Sequence, residues 1–314
     1  MTHKKIENKK RDFLTLKDYS KEEILKILDL TRDIKTNKAK YKNTLAGKNI
    51  ALLFDKPSTR TRVSFEVGIN ELGGSCLVLD SRTLQLGRGE TYADTAKIFN
   101  AYLDGVIIRT FKQETLEIIA NNCDIPVINA LTDNFHPCQI LADLFTLIEH
   151  NLLFKKDFKF VYIGDPNNVA NSLLVGFTKL GLDITVCFPE NYDIDASLKK
   201  YLFDQSDKGK NNIIIEHNPL KAVAHADVIY TDVWVSMGQE EDIKKVEIFK
   251  PYQVNSKLIS ACKNENVKIM HCLPAHRGME ITSDVLDGPN SIVWQQAENR
   301  LHTQKALLYF LYLI

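Results

Sequence analysis

Residues 49–66 read NIALLFDKPSTRTRVSFE, and the succession of residue types in this stretch decides the fold class. The apolar run predicts a strand from Asn49 to Asp55 with both faces covered. Pro57 breaks it, and Ser58 offers an N-cap for a helix that includes Thr59 to Leu72. A buried strand followed at once by a helix opens a βαβ unit, so parallel sheets are expected.

Outward from this stretch the same rhythm recurs. In the first half, strands are predicted at Ser75 to Asp80, Gly105 to Thr110 and Pro126 to Asn129. In the second half they are predicted at Phe158 to Asp165, Ile184 to Pro189, Asn212 to His217, Asp227 to Asp232 and Lys268 to Pro274, with Ser291 to Trp294 as a last candidate. A chain of 314 residues exceeds the usual single core. The reading is therefore α/β, with two doubly wound parallel-sheet domains. Residues 1–148 form the first and residues 149–296 the second. Pro137 to His150 places Ile140, Leu141, Leu144, Phe145 and Ile148 on one helical face and joins the halves. A last amphipathic helix, 297–314, carries Leu301, Ala306, Leu307, Phe310 and Leu311 and is expected to pack back on the first domain. In open sheets of this kind ligands bind beyond the carboxyl ends of the strands, which directs attention to the loops that follow them.

Composition narrows the function classes. Forty basic residues balance forty acidic ones and 44% of residues are hydrophobic, so there is no broad nucleic-acid or membrane bias and any anion site must be local. The six cysteines are scattered, with no CxxC pair and no Cys/His spacing suited to zinc; reduced thiols of a cytoplasmic protein and no metal are the expectation. The first residues, MTHKKIENKKRDFLTL, lack an apolar signal region and contain Glu7 and Asp12, unlike a transit peptide. No apolar run reaches spanning length. Neither GxxxxGK[ST] nor GxGxxG occurs, which disfavours nucleotides and a dinucleotide oxidoreductase.

The loop after the first strand can hold a phosphate. Helix N-terminal amides, the hydroxyls of Ser58, Thr59 and Thr61, and the Arg60 guanidinium are all donors, and Lys56 adds charge. Arg62, two positions on, faces elsewhere and can pair with Glu66 at i+4. A capped helix with solvated arginines fits the same residues, because capping and anion binding use the same groups. Arg109 ends the strand in GVIIRT and His136 opens the connecting helix, both at the predicted carboxyl edge, where either residue taken alone is more often an unremarkable polar group.

KPSTRTRVSFE and His136-Pro137-Cys138-Gln139 together resemble, in order, the two signatures of the aspartate and ornithine carbamoyltransferase family. The resemblance, which runs from about Phe13 to the end, implies that Ser58, Thr59, Arg60 and Thr61 cradle the phosphate of carbamoyl phosphate. It further implies that Arg109 and His136 reach the carbamoyl oxygen and that Gln139 meets the carbamoyl nitrogen. Arg300, within AENRLHTQKALL, is implied at the same ligand, and Gln85, within SRTLQLGRGE, is implied to reach it across an interface of a homotrimer with shared active sites. Gln295-Gln296 stand where relatives commonly carry acids.

The loops GDPNNVANS, DVWVSMGQE and HCLPAHR resemble the ornithine-using branch. They imply that Asn168, Asp232, Ser236 and Met237 hold the amino-acid end of ornithine and that the backbone at Cys272 and Leu273 touches the carbamoyl group. Asp232 supplies a carboxylate for an α-ammonium, which suits that role. Cys272 has no adjacent base to make a thiolate, so direct attack of the amine is expected, with no covalent intermediate and no cofactor. An aspartate-using enzyme should lack the Ser-Met-Gly loop, a putrescine-using one does not need Asn168 and Asp232, and a non-catalytic binding protein should have lost part of the two signatures.

Overall fold

The computed structural model describes residues 10–81, 84–86, 89–206, 212–235 and 243–313. In the first half, α1 (Lys21–Thr36) precedes β1 (Asn49–Phe54), α2 (Thr59–Glu71), β2 (Ser75–Asp80), α3 (Tyr92–Tyr102), β3 (Gly105–Arg109), α4 (Gln113–Asn121) and β4 (Val127–Leu131). The connecting helix α5 (Pro137–Glu149) leads to β5 (Phe160–Ile163), α6 (Asn168–Leu180), β6 (Ile184–Cys187), α7 (Ala196–Ser206) and β7 (Ile213–Glu216). Then follow α8 (Pro219–Ala222), β8 (Val228–Thr231), α9 (Ile243–Phe249), α10 (Ser256–Ala261), β9 (Lys268–His271), α11 (Ser283–Leu286) and α12 (Val293–Leu313).

The strands make two sheets, ordered β2-β1-β3-β4 and β7-β6-β5-β8-β9, and all their pairings are parallel. Alternation along β1 shows why its residues had to be apolar throughout. Ile50 and Leu52 pack with Phe65 and Ile69 of α2, whereas Ala51 and Leu53 pack with Ala96 and Phe99 of α3 and Leu116 of α4. β5 repeats the pattern, with Phe160 and Tyr162 facing one layer and Val161 and Ile163 the other. The first of these layers is continuous across both halves, through Leu141 and Leu144 of α5, Leu173 of α6 and Leu307 of α12.

In both sheets the chain leaves the starting strand in one direction, then returns to build on its other side. The first sheet switches between β1 and β3, the second between β5 and β8. Loops that follow those strands diverge at the carboxyl edge and leave a crevice. The four loops in question begin at Asp55, Thr110, Gly164 and Asp232, and Gly164 sits at φ 142°, a region closed to side chains with a Cβ.

One predicted strand is not formed. Ser291 makes only an isolated bridge to Ile269, and Val293 already begins α12. Ile292 and Val293 do face two different core clusters, as in a covered strand, but the chain makes only the bonds of Asn290 O and Ile292 N with Ile269 before it turns into the helix. α12 therefore starts four residues before the predicted Ala297. It lies against α1, α2 and α5 and so returns to the first sheet. Its buried face includes polar side chains, among them Gln296, Asn299, Arg300 and Lys305, which sequence periodicity alone does not anticipate. Their partners explain the burial: Asn299 donates to Thr146 Oγ1 and Glu149 Oε2 at 2.9 and 2.7 Å, and Lys305 pairs with Glu71. Among the described residues, no helix is long and apolar enough to cross a membrane.

Candidate active site

The two switch-point crevices face each other and enclose one cavity of about 470 Å³. Its walls bring together Ser58, Thr59, Arg60, Thr61, Arg109, His136 and Arg300 from one side and Asn168, Asp232, Cys272 and Leu273 from the other. Residues separated by up to 242 positions thus meet because each follows a strand, or belongs to a helix laid across the strand ends.

The first wall is cationic. Ser58 does cap α2, its hydroxyl oxygen accepting from Thr61 N–H at 3.3 Å, and the hydroxyl proton remains available. Arg60 makes no hydrogen bond or ion pair with the other described residues and is half-buried, so its guanidinium faces the cavity. Arg62 turns away and pairs with Glu66 at 3.7 Å. Arg109 is buried with its Nε unpartnered; burial, then Arg300 and Arg60, lowers its pKa to about 10. Arg300 donates to Gln139 Oε1 at 2.7 Å and to Thr61 Oγ1 at 3.0 Å. Lys56 is buried beside them, paired with Asp133 and placed 4.1 Å from the centre of the Phe111 ring. A concentration of buried positive charge with unspent donors is a site for an anion of more than one charge.

His136 terminates this wall at the start of α5. Its backbone N–H donates to Ser172 Oγ at 2.7 Å, while its Nδ1 is buried without a partner. Burial, and after it Arg300, Arg109 and Arg60, holds the imidazole well below its ordinary pKa. The ring is therefore neutral at neutral pH, a donor through one nitrogen only.

The opposite wall is polar and acidic. Asp232 is held at both oxygens: Cys272 Sγ donates to Oδ1 at 2.8 Å and Asn167 Nδ2 to Oδ2 at 2.7 Å. Burial and then the Asp232 carboxylate push the Cys272 thiol well above its ordinary pKa, so it is a thiol, not a thiolate nucleophile. Leu273 occupies a left-handed conformation at φ 58°, a costly state for leucine, and its N–H donates to His271 Nδ1 at 2.8 Å. That bond leaves the His271 proton on Nε2, directed at Glu280 Oε1 at 3.1 Å. Asp232, His271 and Cys272 bring ligand-type atoms within 4.8 Å of one another, but both nitrogens of His271 are thereby engaged and the thiol is protonated, a poor donor set for a metal.

Asn168 lines the cavity, yet its amide nitrogen is committed to Thr132 O at 2.7 Å, joining the two walls. Gln139 lies just behind the cationic wall, bonded to Arg300. Gln85 is exposed and does not line this chain's cavity. Ser236 and Met237 lie outside the described residues. Sequence reading missed Asn167, Asp165 and Asp133. Asn167 caps α6 through its oxygen while its nitrogen orders Asp232, and the adjacent Asn168 drew attention away from it. Asp165 pairs with Lys245 at 2.8 Å, and its place at a strand end was the available signal.

The fold and cavity define a class: a two-domain α/β protein whose shared cavity has a cationic wall on one side and a polar, acidic wall on the other. Models of two domains match the chain in turn, the carbamoyl-P binding domain of aspartate/ornithine carbamoyltransferase over residues 11–149 and the Asp/Orn binding domain over residues 156–311. The chain belongs to the aspartate/ornithine carbamoyltransferase family. It is 49% identical to the ornithine carbamoyltransferase of Bacillus subtilis (strain 168), over 95% of this chain and 92% of that protein. Among solved structures, that of the Pyrococcus furiosus ornithine carbamoyltransferase superposes with a TM-score of 0.89 at 48% identity, covering 95% of this chain and 96% of that one. The anabolic enzyme from Campylobacter jejuni superposes with a TM-score of 0.90 at 40% identity, covering 96% and 98%.

Proposed function

We propose that this protein transfers the carbamoyl group of carbamoyl phosphate to the side-chain amine of L-ornithine, giving L-citrulline and phosphate. The observation that carries the proposal is the division of one cavity into a wall of Arg60, Arg109 and Arg300 and a wall ordered around Asp232. Residues 1–148, with 297–314, hold carbamoyl phosphate and residues 149–296 hold ornithine. Ser58, Thr59, Arg60 and Thr61 receive the phosphate at the start of α2, with Arg300 beside them. Arg109 and the neutral His136 donate to the carbamoyl oxygen, Gln139 Oε1 accepts from the carbamoyl nitrogen, and the backbone at Cys272 and Leu273 closes over the group.

The amine of ornithine attacks the carbonyl carbon directly. Negative charge gathers on the carbonyl oxygen as the carbon becomes tetrahedral, and preorganised donors stabilise it, by about 2.7 to 4 kcal/mol for one donor in a comparable site. The intermediate then expels phosphate, which takes the proton that the amine loses, and the arginines balance the charge that remains on it. Asp232 meets the α-ammonium of ornithine, with Asn168, Ser236 and Met237 at its amino-acid end. Cys272, protonated and bonded to Asp232, orients the acceptor and is not acylated. Carbamoyl phosphate is already an activated acyl donor, so neither metal nor cofactor has a step to perform.

The working form is a cytoplasmic homotrimer in which Gln85 of one subunit reaches the carbamoyl phosphate of its neighbour. The balanced charge of the chain suits small-molecule substrates, with no nucleic acid or membrane partner. The deciding experiment is a steady-state assay with carbamoyl phosphate and four amines: ornithine, putrescine, aspartate and N-acetylornithine. Ornithine should be turned over fastest, and equal or faster turnover of putrescine or N-acetylornithine overturns the assignment.

A further inference from the structure

Asp143 takes no part in the chemistry above, yet it is a carboxyl with no exposed surface on α5, the helix that joins the two sheets. Leaving a carboxyl there is costly unless its bonds accomplish something a leucine could not. Its Oδ1 accepts two amide N–H groups, from Gln139 Nε2 at 2.8 Å and from Gln296 Nε2 at 2.7 Å. Gln139 Oε1 accepts from Arg300 Nη1 at 2.7 Å. Gln296 Oε1 accepts from the backbone N–H of His271 at 3.0 Å, one residue before Cys272.

Both glutamine amides are thus gripped at opposite ends by groups of fixed polarity. A guanidinium only donates, so the Gln139 atom facing Arg300 must be oxygen; the carboxylate Oδ1 only accepts, so the atom facing it must be nitrogen. Reversing the Gln139 amide would set its NH2 against the guanidinium and its oxygen against the carboxylate, losing both bonds and leaving buried groups unpaired. The same logic fixes Gln296. A buried chain of bonds therefore runs from Thr61 through Arg300, Gln139, Asp143 and Gln296 to the end of β9, from one wall of the cavity to the other.

We propose that Asp143 is a positioning residue for the transfer: it holds the Gln139 amide with its oxygen on the cavity side, so that the site selects a carbamoyl NH2, and through Gln296 it ties that orientation to the strand end carrying Cys272. The proposal rests on the role given above to Gln139 at the carbamoyl nitrogen. Burial pushes Asp143 up to about 7. Oδ1 remains an acceptor whether or not a proton sits on Oδ2, so the orientation of Gln139 survives titration.

Acetyl phosphate, which carries a methyl group where carbamoyl phosphate carries NH2, is the probe that separates this role from general support of the fold. The full-length protein is titrated with carbamoyl phosphate, acetyl phosphate and inorganic phosphate. Wild type should prefer carbamoyl over acetyl phosphate, and Gln139→Met should erase that preference. Asp143→Leu, which removes the acceptor and frees the amide to turn, should reduce the preference by about tenfold, the scale of one lost hydrogen bond. Its affinity for inorganic phosphate should stay within about threefold of wild type, because Arg60 and the start of α2 are untouched and Arg300 keeps its bond to Thr61. Asp143→Asn should retain the preference: its oxygen takes the place of Oδ1, and its NH2 takes that of Oδ2, where the neighbouring Tyr230 hydroxyl can accept from it. A preference unaffected by Gln139→Met sinks the role of Gln139 and the relay with it. A preference erased by Gln139→Met but intact in Asp143→Leu sinks the relay alone. Should Asp143→Leu not fold, loss of the preference in Asp143→Asn overturns the proposal instead.

Discussion

Asp232 shows how a single side chain acquires a function from its neighbours. A carboxylate at a strand end is commonplace; one whose two oxygens are held by Asn167 and by the Cys272 thiol is preorganised to receive an ammonium. The same environment decides the pH behaviour of the reaction. The attacking amine, with a reference pKa of about 10.4, is only about a thousandth neutral near pH 7, and no described group beside it is suited to take its proton. Cys272 is pushed upward, so no thiolate forms in the neutral range, and His136 is pushed downward, so its donor proton is not lost or gained there. The value of kcat/KM for ornithine should therefore rise by roughly tenfold per pH unit between neutral and mildly alkaline pH, following the neutral amine alone. A flat profile over that interval would refute the absence of a general base. His136 itself was legible as a strand-edge donor, but its neutrality was not, since the three arginines that enforce it come from distant parts of the chain.

At the level of elements, the cavity depends on how closely α5 can approach α6, because these helices carry His136 and Asn168 at their starts. Gly176 permits that approach: a Cβ there would lie 2.8 Å from Ile140 Cγ2 and 3.3 Å from Leu16 Cδ1, both fully enclosed. Gly176→Ala gains up to about 1 kcal/mol of helix propensity but forces a packed core apart, which costs roughly 1–3 kcal/mol. The crowding should win, and the midpoint of thermal unfolding should fall. A midpoint equal to or above that of wild type would mean that the helices separate freely at this point. Propensity would have ranked this glycine as a defect. In α12, polar residues such as Asn299, Thr303 and Gln304, which helix periodicity alone would leave toward solvent, are buried in a helix that packs on α1, α2 and α5.

For the whole molecule, the question is whether one chain makes a complete site. Gln85 is exposed and away from the cavity of its own chain, which suits a residue that serves a neighbour. On the proposed roles, Arg60→Ala would remove a phosphate anchor and Gln85→Ala a donor to the same ligand, so each variant alone should be severely impaired. If the two residues come from different subunits, unfolding, mixing and refolding the variants creates some sites with both intact, and activity should reappear. A mixture as inactive as its parents would show that each site is built from one chain, since every hybrid site would then still lack one residue.

The linear order of residues carried the βαβ rhythm, the N-cap at Ser58 and the donors clustered after β1, because strand burial, capping and anion binding are local and leave their mark on neighbouring positions. It also carried the family, through two short motifs in which local backbone geometry and chemistry coincide. The pairing of walls into one cavity, the commitment of the Asn168 amide to Thr132, the role of Asn167 and the chain through Asp143 and Gln296 were beyond it. Each of these depends on segments far apart in the chain, several of them meeting across the join between the two sheets, and a hydrogen bond between residues 153 positions apart imposes no periodicity on the sequence that contains it.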